Sequence, residues 1–492
     1  MATLIESPAS RLRRRNGSAR NPALNYLLLL FAVCAALVVC LVIAFAALHD
    51  DGEFTFGGFV VLLNIFILLS ALLLNATGEL ERTAAYICFI YMTSFYLIPG
   101  FFHICLGRFP FYSMDYPAEN ILRAAVVVLT FSVSFLLGYW LREQMVKSKK
   151  SRAIRAPIVK VRHSIDFGVA IACAIFALII AWLVNFDYYF VSRGEVENVF
   201  QEVGALLNIE LTIPRILSFG AFAFALAGLY QRRSAFAVIS CALTFIVCAT
   251  LNSPLVIPRY MLFAYPITLI VAFSNLMKRR SLLILIVFLA GQLTIFPIIS
   301  TLSRGDVRDL SSFSPLEYYT SSGDFDGFQS TINVVTYADQ TGLKWGANLL
   351  SAALFFVPRP LWPGKSAGTG WDAATFMGYD YTNVSSPLPS EFYVDFGIFG
   401  VFLGGAVVGY LLALADEGIR NARATKDHLR LLGEATVVGY LFILLRGSLV
   451  GVVGPFVVSY VMFWTIRGLA RAGLLTFKRR GGRRRIGARR MT

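Results

Sequence analysis

Phe356-Val357-Pro358-Arg359-Pro360-Leu361-Trp362-Pro363-Gly364-Lys365 lies in the one long polar stretch of this chain, Ser300 to about Asp395. The same stretch holds Ser303-Arg304-Gly305-Asp306 and Gly323-Asp324-Phe325-Asp326, and it ends in Glu391-Phe392-Tyr393-Val394-Asp395-Phe396-Gly397. Outward from it, the chain is apolar on both sides. Of 492 residues 57% are hydrophobic and only 15% charged, and the mean hydropathy is +0.67. A soluble protein carries roughly 45–50% apolar and about 25% charged residues. The bilayer is therefore the solvent, and a span needs about 20 apolar residues. Twelve spans are expected: 24–48, 57–75, 83–105, 121–141, 167–185, 214–230, 235–251, 259–277, 281–299, 396–415, 432–446 and 452–470. Lipid leaves backbone groups no outside partner, so these are helices. The expected fold is an all-α, polytopic membrane bundle, a single membrane domain over 1–492.

With twelve spans, alternate connectors fall on opposite sides. One side holds both termini and the connectors 76–82, 142–166, 231–234, 278–280 and 416–431. Counted with its span ends, it carries 33 of the 44 Lys+Arg and 9 of the 29 Asp+Glu, a net +24. The other side nets −9, and the two sum to +15. This split follows the positive-inside bias and places both termini in the cytoplasm. The runs Arg13-Arg14-Arg15, Lys149-Lys150 and Arg483-Arg484-Arg485 then mark topology and touch lipid headgroups, not nucleic acid.

The seven cysteines lie in or beside spans with no CxxC pair, and the four histidines are scattered. Neither a disulfide scaffold nor a metal site follows, and no cofactor is expected. The first apolar run is a full span without a small-residue cleavage site, so no cleavable signal peptide is expected. Two outer segments exceed a turn: the loop 300–395, and 186–213, which contains Arg193. Connections of such length are usually functional. Within the long loop, 328–339 reads as a mildly amphipathic helix. The apolar run 347–357 is too short to span and reads as re-entrant or interfacial, broken by Pro358 and Pro360.

Candidate chemistry gathers at the outer rim. Arg123, Arg215, Arg259 and Arg446 stand at outer span ends, where they either snorkel to the interface or face a common cavity. Arg304, beside Asp306, offers a fork that fits phosphate, or an ion pair at a loop start. Prolines on both sides of Arg359 restrict how it is aimed, Trp362 supplies an interfacial or sugar-stacking ring, and Lys365 adds a second cation. Gly364-Lys365-Ser366 is not a phosphate loop, because position 359 is Arg where that motif requires Gly. Glu391 and Asp395 share a helix face if the segment is already helical; they then serve either as helix-end acids or as chemistry. Tyr393 belongs to a dense set of loop aromatics that packs a cap or meets sugars.

The run 356–365 is similar to the "F-(I/V)-P-R-x-(L/I)-W-P-x-K-P" segment of the Wzy-type oligosaccharide repeat-unit polymerases, with Ser366 in place of its last proline. Glu391-Phe392-Tyr393-Val394-Asp395-Phe396-Gly397-Ile398-Phe399-Gly400 resembles that family's "E-x-Y-x-(N/D)-F-G-x-x-G". The resemblance covers the topology as well. It implies a fold similar to the GT-C glycosyltransferases and residence in a bacterial inner membrane. The implied reaction moves a growing chain from undecaprenyl pyrophosphate onto a new lipid-linked repeat unit at the outer face. Arg359, Arg304, Lys365, Arg259 and Arg446, with Arg215 and Arg193, would bind the pyrophosphates. Trp362 and Tyr393 would meet the sugars, and Glu391, or else Asp306, would be the base. Membrane lipids, a chain-length regulator and a flippase are the implied partners. An O-antigen ligase shares topology and donor. A lipid-linked oligosaccharide flippase is the rival of a different class, and it should carry cations inside its spans.

Overall fold

The structure is a computed structural model, and it describes residues 55–77, 81–111, 115–152, 167–190, 205–253, 257, 259–275, 281–294, 318 and 321–472. The described residues form helices and connections, with no strand. Along the chain come α1 (Phe56–Thr77), α2 (Thr83–Leu106), α3 (Ala118–Arg152), α4 (Phe167–Val184), α5 (Ala205–Gln231), α6 (Ala235–Leu251), α7 (Arg259–Phe273) and α8 (Ser281–Leu293). The polar stretch supplies α9 (Gly327–Thr341), α10 (Ala347–Ala353) and α11 (Thr369–Phe376). The chain then returns through α12 (Leu388–Thr425), α13 (His428–Arg446) and α14 (Leu449–Arg471).

Eight of these helices are long and apolar enough to cross a membrane, and three shorter apolar helices lie at 235–251, 261–273 and 283–292. Expected span 24–48 lies outside the described residues; the other expected spans each fall on a helix. The protein is thus a helical, multi-pass membrane protein.

Helix contacts rest on small residues, as they do where lipid removes the hydrophobic drive between helices. A Cβ on Gly405 would come within 2.1 Å of Ser134 Oγ, and one on Gly409 within 2.0 Å of the Phe135 carbonyl, so α12 lies directly on α3. In the same way Gly439 brings α13 onto Ala264 and Thr268 of α7. α4, α5 and α6 form a second, smaller unit around Ala177, Ala181, Leu211 and Leu251.

Two local features differ from the sequence reading. α12 begins at Leu388, eight residues before the expected span, because Pro387 and Pro389 suit a helix start. It then breaks at Phe396 and Gly397, and Gly397 at φ +61 and ψ −154 needs the freedom of glycine. The second feature is α9, which is not simply amphipathic. Gln329, Ser330, Thr331 and Asn333 are all buried with its apolar residues. Phe328 lies over Gly100 of α2, so α9 sits across the mouth of the bundle.

Candidate functional site

The buried polar side chains of α9 are satisfied from several directions, as burial demands. Thr331 Oγ1 bonds Ser390 Oγ at 2.9 Å and also pairs with Tyr96 of α2. Gln329 Nε2 donates to the Phe111 carbonyl at 2.6 Å, and Asn333 Nδ2 to the Tyr379 hydroxyl at 2.9 Å. α9 is therefore a fixed floor. Beside it, four segments far apart in sequence converge: 322–331, 366–370, 385–391 and 446–449.

Two buried carboxyls organise this cluster, one on each side of Ser385-Ser386. Asp326 Oδ1 meets Arg446 Nη2 at 3.1 Å, and its Oδ2 accepts the Ser385 amide at 3.0 Å. Arg446 Nη2 also donates to the Gly323 carbonyl at 2.7 Å. The Ser386 amide in turn bonds the Arg446 carbonyl at 2.9 Å. On the other side Glu391 is wholly buried. Its Oε2 accepts the Thr369 hydroxyl at 2.9 Å, and its Oε1 the Leu449 amide at 3.4 Å. The hydroxyls of Ser386 and Ser448 lie beside the same carboxyl.

The two acids are held differently. Asp326 has an arginine. Among the described residues Glu391 has only neutral donors and the N-terminus of α14, whose dipole favours an anion modestly. Arg446 Nε is buried without a partner among the described residues, while 32% of the whole side chain stays accessible. The guanidinium builds the site through its Nη2.

Asp395, four residues after Glu391, is used differently. Its oxygens accept the amides of Asn348 at 3.3 Å and Leu349 at 2.8 Å, which caps α10. Asn348 Nδ2 continues to Thr369 Oγ1 at 2.9 Å, which links this cap to Glu391.

The run 356–365 forms a tight hairpin after α10. Only 347–353 of the expected helix 347–357 is helical. Lys365 folds back, and its Nζ donates to the carbonyls of Leu354, Phe355 and Val357 at 3.1, 2.9 and 2.9 Å. Those are all three protons of the ammonium, so Lys365 ties the hairpin together. Desolvation, and then the charge of Arg359, lower its pKa below the usual lysine value. Arg359 is exposed and, among the described residues, donates to the Ser366 carbonyl at 3.3 Å, while Trp362 is half-buried.

The remaining expected residues lie elsewhere. Arg215 is three turns into α5 and buried, with its guanidinium 5.3 Å from the Tyr189 ring. Tyr393 donates to Asp339 at 3.2 Å, and Asp339 pairs with Arg123. Arg259 is the first residue of α7. Arg193, Arg304 and Asp306 lie outside the described residues.

Sequence reasoning thus named Glu391 and Arg446 but missed Asp326, Thr369, Ser385, Ser386 and Ser448. The signals were present: an acid pair in Asp324-Phe325-Asp326, and serines in Ser385-Ser386-Pro387-Leu388-Pro389-Ser390 directly before Glu391. Compared with known proteins, the chain matches no family model, no curated protein and no solved structure.

Proposed function

We propose that this protein is a membrane glycosyltransferase that polymerises lipid-linked oligosaccharide repeat units. The growing chain leaves undecaprenyl pyrophosphate and is joined to a new lipid-linked unit. In this reading the polar stretch faces the periplasm and the basic ends of α3, α12 and α14 face the cytoplasm, in an inner membrane. The charge split of +24 against −9 supports that orientation.

The observation that carries the reading is that buried Glu391 and the Asp326–Arg446 ion pair lie on opposite sides of Ser385-Ser386. A glycosyl transfer needs a group to take the acceptor proton and a cation to hold the departing pyrophosphate. Glu391, buried without a counter-charge, is the base. The acceptor hydroxyl attacks the anomeric carbon and a new C–O bond forms. The bond from that carbon to the pyrophosphate oxygen breaks, the electron pair leaves with the pyrophosphate, and the proton passes to Glu391. The accessible part of the Arg446 side chain and the exposed Arg359 bind the pyrophosphate charge. Substrate entry must displace the 366–370 segment, because Thr369 covers Glu391 and a Cβ on Gly368 would come within 2.8 Å of Ser448 Oγ.

The test is polysaccharide length on a gel after deletion of the protein from its host. Loss of long chains with single repeat units still displayed is expected. Absence of any surface repeat unit would make the protein a flippase, and undisturbed long chains would end the proposal.

A further inference from the structure

The turn that leads into α10 is built against the preferences of its residues. Lys344 to Ala347 is closed by the Ala347 amide on the Lys344 carbonyl at 3.1 Å, with Trp345 at φ +52 and Gly346 at φ +88. Two successive positive φ angles make a type I′ turn, whose first central place belongs to Asn, Asp or Gly. A bulky side chain in the left-handed region is strained. Trp345 gains no packing in return, since it is 77% exposed. Strain of this kind persists where the residue has a task.

The height of this turn in the molecule identifies the task. The Trp345 amide donates to the Asp395 carbonyl at 3.0 Å, and a Cβ on Gly346 would come within 2.8 Å of the Phe396 ring. From there Phe396, Phe399 and Leu403, exposed by 40, 70 and 53%, run along one face of membrane-crossing α12. Past the other end of α10, the Phe355 ring packs 3.1 Å from where a Cβ on Gly454 of α14 would stand. Val458 and Val461, exposed by 42 and 51%, continue from that point into the span. The seven residues of α10 cover about 10 Å. The segment therefore runs from the head of one lipid-facing ridge to the head of another.

Its faces and its backbone suit that place. Asn348, Ser351 and Ala352 are buried, while Leu350 on the other side is 52% exposed. The hairpin that follows adds Phe356 and Leu361, 67% and 80% exposed. The backbone lies at the surface, yet it is satisfied from within. Asp395 accepts the amides of Asn348 and Leu349, and the Lys365 ammonium donates to the carbonyls of Leu354, Phe355 and Val357. Water would serve those groups without a dedicated lysine; a layer poor in water would not.

We propose that α10 and the 356–365 hairpin form an in-plane anchor in the lipid interface. Trp345, Leu350, Phe356 and Leu361 insert among the headgroups and upper acyl chains, as aromatic and apolar side chains of interfacial elements do. The partner of this face is the bilayer itself, continuous with the lipid-facing ridges of α12 and α14. The Trp345 ring holds the head of α10 at one depth, and Lys365 keeps the hairpin at the same depth. The anchor is independent of the reaction proposed above.

Depth-resolved quenching of tryptophan fluorescence tests it. Purified full-length protein is placed in phosphatidylcholine nanodiscs whose lipid chains carry bromine either near the headgroup or at the chain end. Iodide in the water is the third quencher. The signal of Trp345 is the difference between the wild-type and Trp345→Phe spectra. Bromine near the headgroup should quench most of this difference, and chain-end bromine and iodide little of it. Leu361→Trp, made in the Trp345→Phe chain, should report the same depth. Gln340→Trp in that chain, at the exposed polar end of α9, should answer to iodide and is the control. If iodide quenches the Trp345 or Leu361→Trp signal and neither bromolipid does, this face lies in water, open to a sugar or another protein, and the proposal is overturned. Quenching by chain-end bromine would put the face deep in the span and overturn it as well.

Discussion

The two ends of α12 use buried acids in opposite ways. At its far end Asp416 accepts the amides of Ala84 and Ala85 at 2.7 and 3.3 Å and the Tyr139 hydroxyl at 2.8 Å, so it caps α2. The arginines of this end pair with other acids. Arg82 pairs with Glu143 at 2.8 Å, Arg142 with Glu417 at 2.8 Å and Arg423 with Glu81 at 3.2 Å. Next to it, Asp427 caps α13 and takes Arg467 at 2.9 Å and Arg471 at 3.4 Å. At the near end Glu391 and Asp395 also accept helix amides, yet no arginine answers either of them among the described residues. Capping alone therefore does not distinguish the ends: Asp427 is matched to arginines, Asp416 is held by two amides and a phenol, and Glu391 keeps one amide and neighbouring hydroxyls. Acids matched to arginines hold helices in place, whereas an acid left with hydroxyls and one amide is free to exchange a proton.

The same chemical change at the two ends is the sharpest test. Glu391→Gln keeps size and an acceptor oxygen but cannot take a proton. Polymer formation by purified protein should fall about 10²–10⁴-fold while the protein accumulates normally. Asp416→Asn should cost about 0.5–2 kcal/mol of stability, as loss of a cap does, and leave turnover per folded molecule within twofold. If thermal melts and turnover assays show both variants equally inactive, or both active, the distinction between the ends collapses.

Arg446 comes next in size. Arg446→Ala should cut turnover at least tenfold, since a charge-assisted bond to phosphate is worth about 1.5–3 kcal/mol. Arg446→Lys should recover only part of this, because lysine lacks the fork that serves Asp326 and a phosphate together. Full recovery by lysine would reduce Arg446 to a point charge. At the other end Arg467→Lys should leave turnover intact, because Arg471 also reaches Asp427.

The smallest effect belongs to Lys365. Lys365→Met removes three carbonyl bonds from an exposed hairpin without touching the bundle. The expected outcome is a several-fold rise in KM with kcat nearly unchanged, read from initial rates. An equal fall in kcat would place Lys365 at the reacting atoms.

The spans were legible because a helix in lipid needs a long apolar run, which composition reveals directly. The start of α12 was less so, since its first two turns, Leu388 to Asp395, are polar enough to pass for loop. The buried polar face of α9 could not be read locally: Gln329 and Asn333 are buried only because Tyr116 and Tyr379 meet them. Glu391 stood out as the acid where the loop returns. Asp326 did not, because its partner Arg446 is 120 residues away and an acid in a polar loop normally serves solubility.

The break at Phe396 and Gly397 has a mechanical meaning. Spans tilt as bilayer thickness changes. In an unbroken rod such tilting would swing the Glu391 turn through an arc and spoil its alignment. Here Leu388 to Asp395 is tied to the loop instead, through Lys344 N to the Val394 carbonyl at 2.9 Å and Trp345 N to the Asp395 carbonyl at 3.0 Å. The joint lets the long arm of α12 lean with the membrane while the short arm keeps its register with α10 and α14. The protein thus carries the Glu391 carboxyl, the proposed base, on a suspended mount, decoupled from the thickness of the bilayer around it.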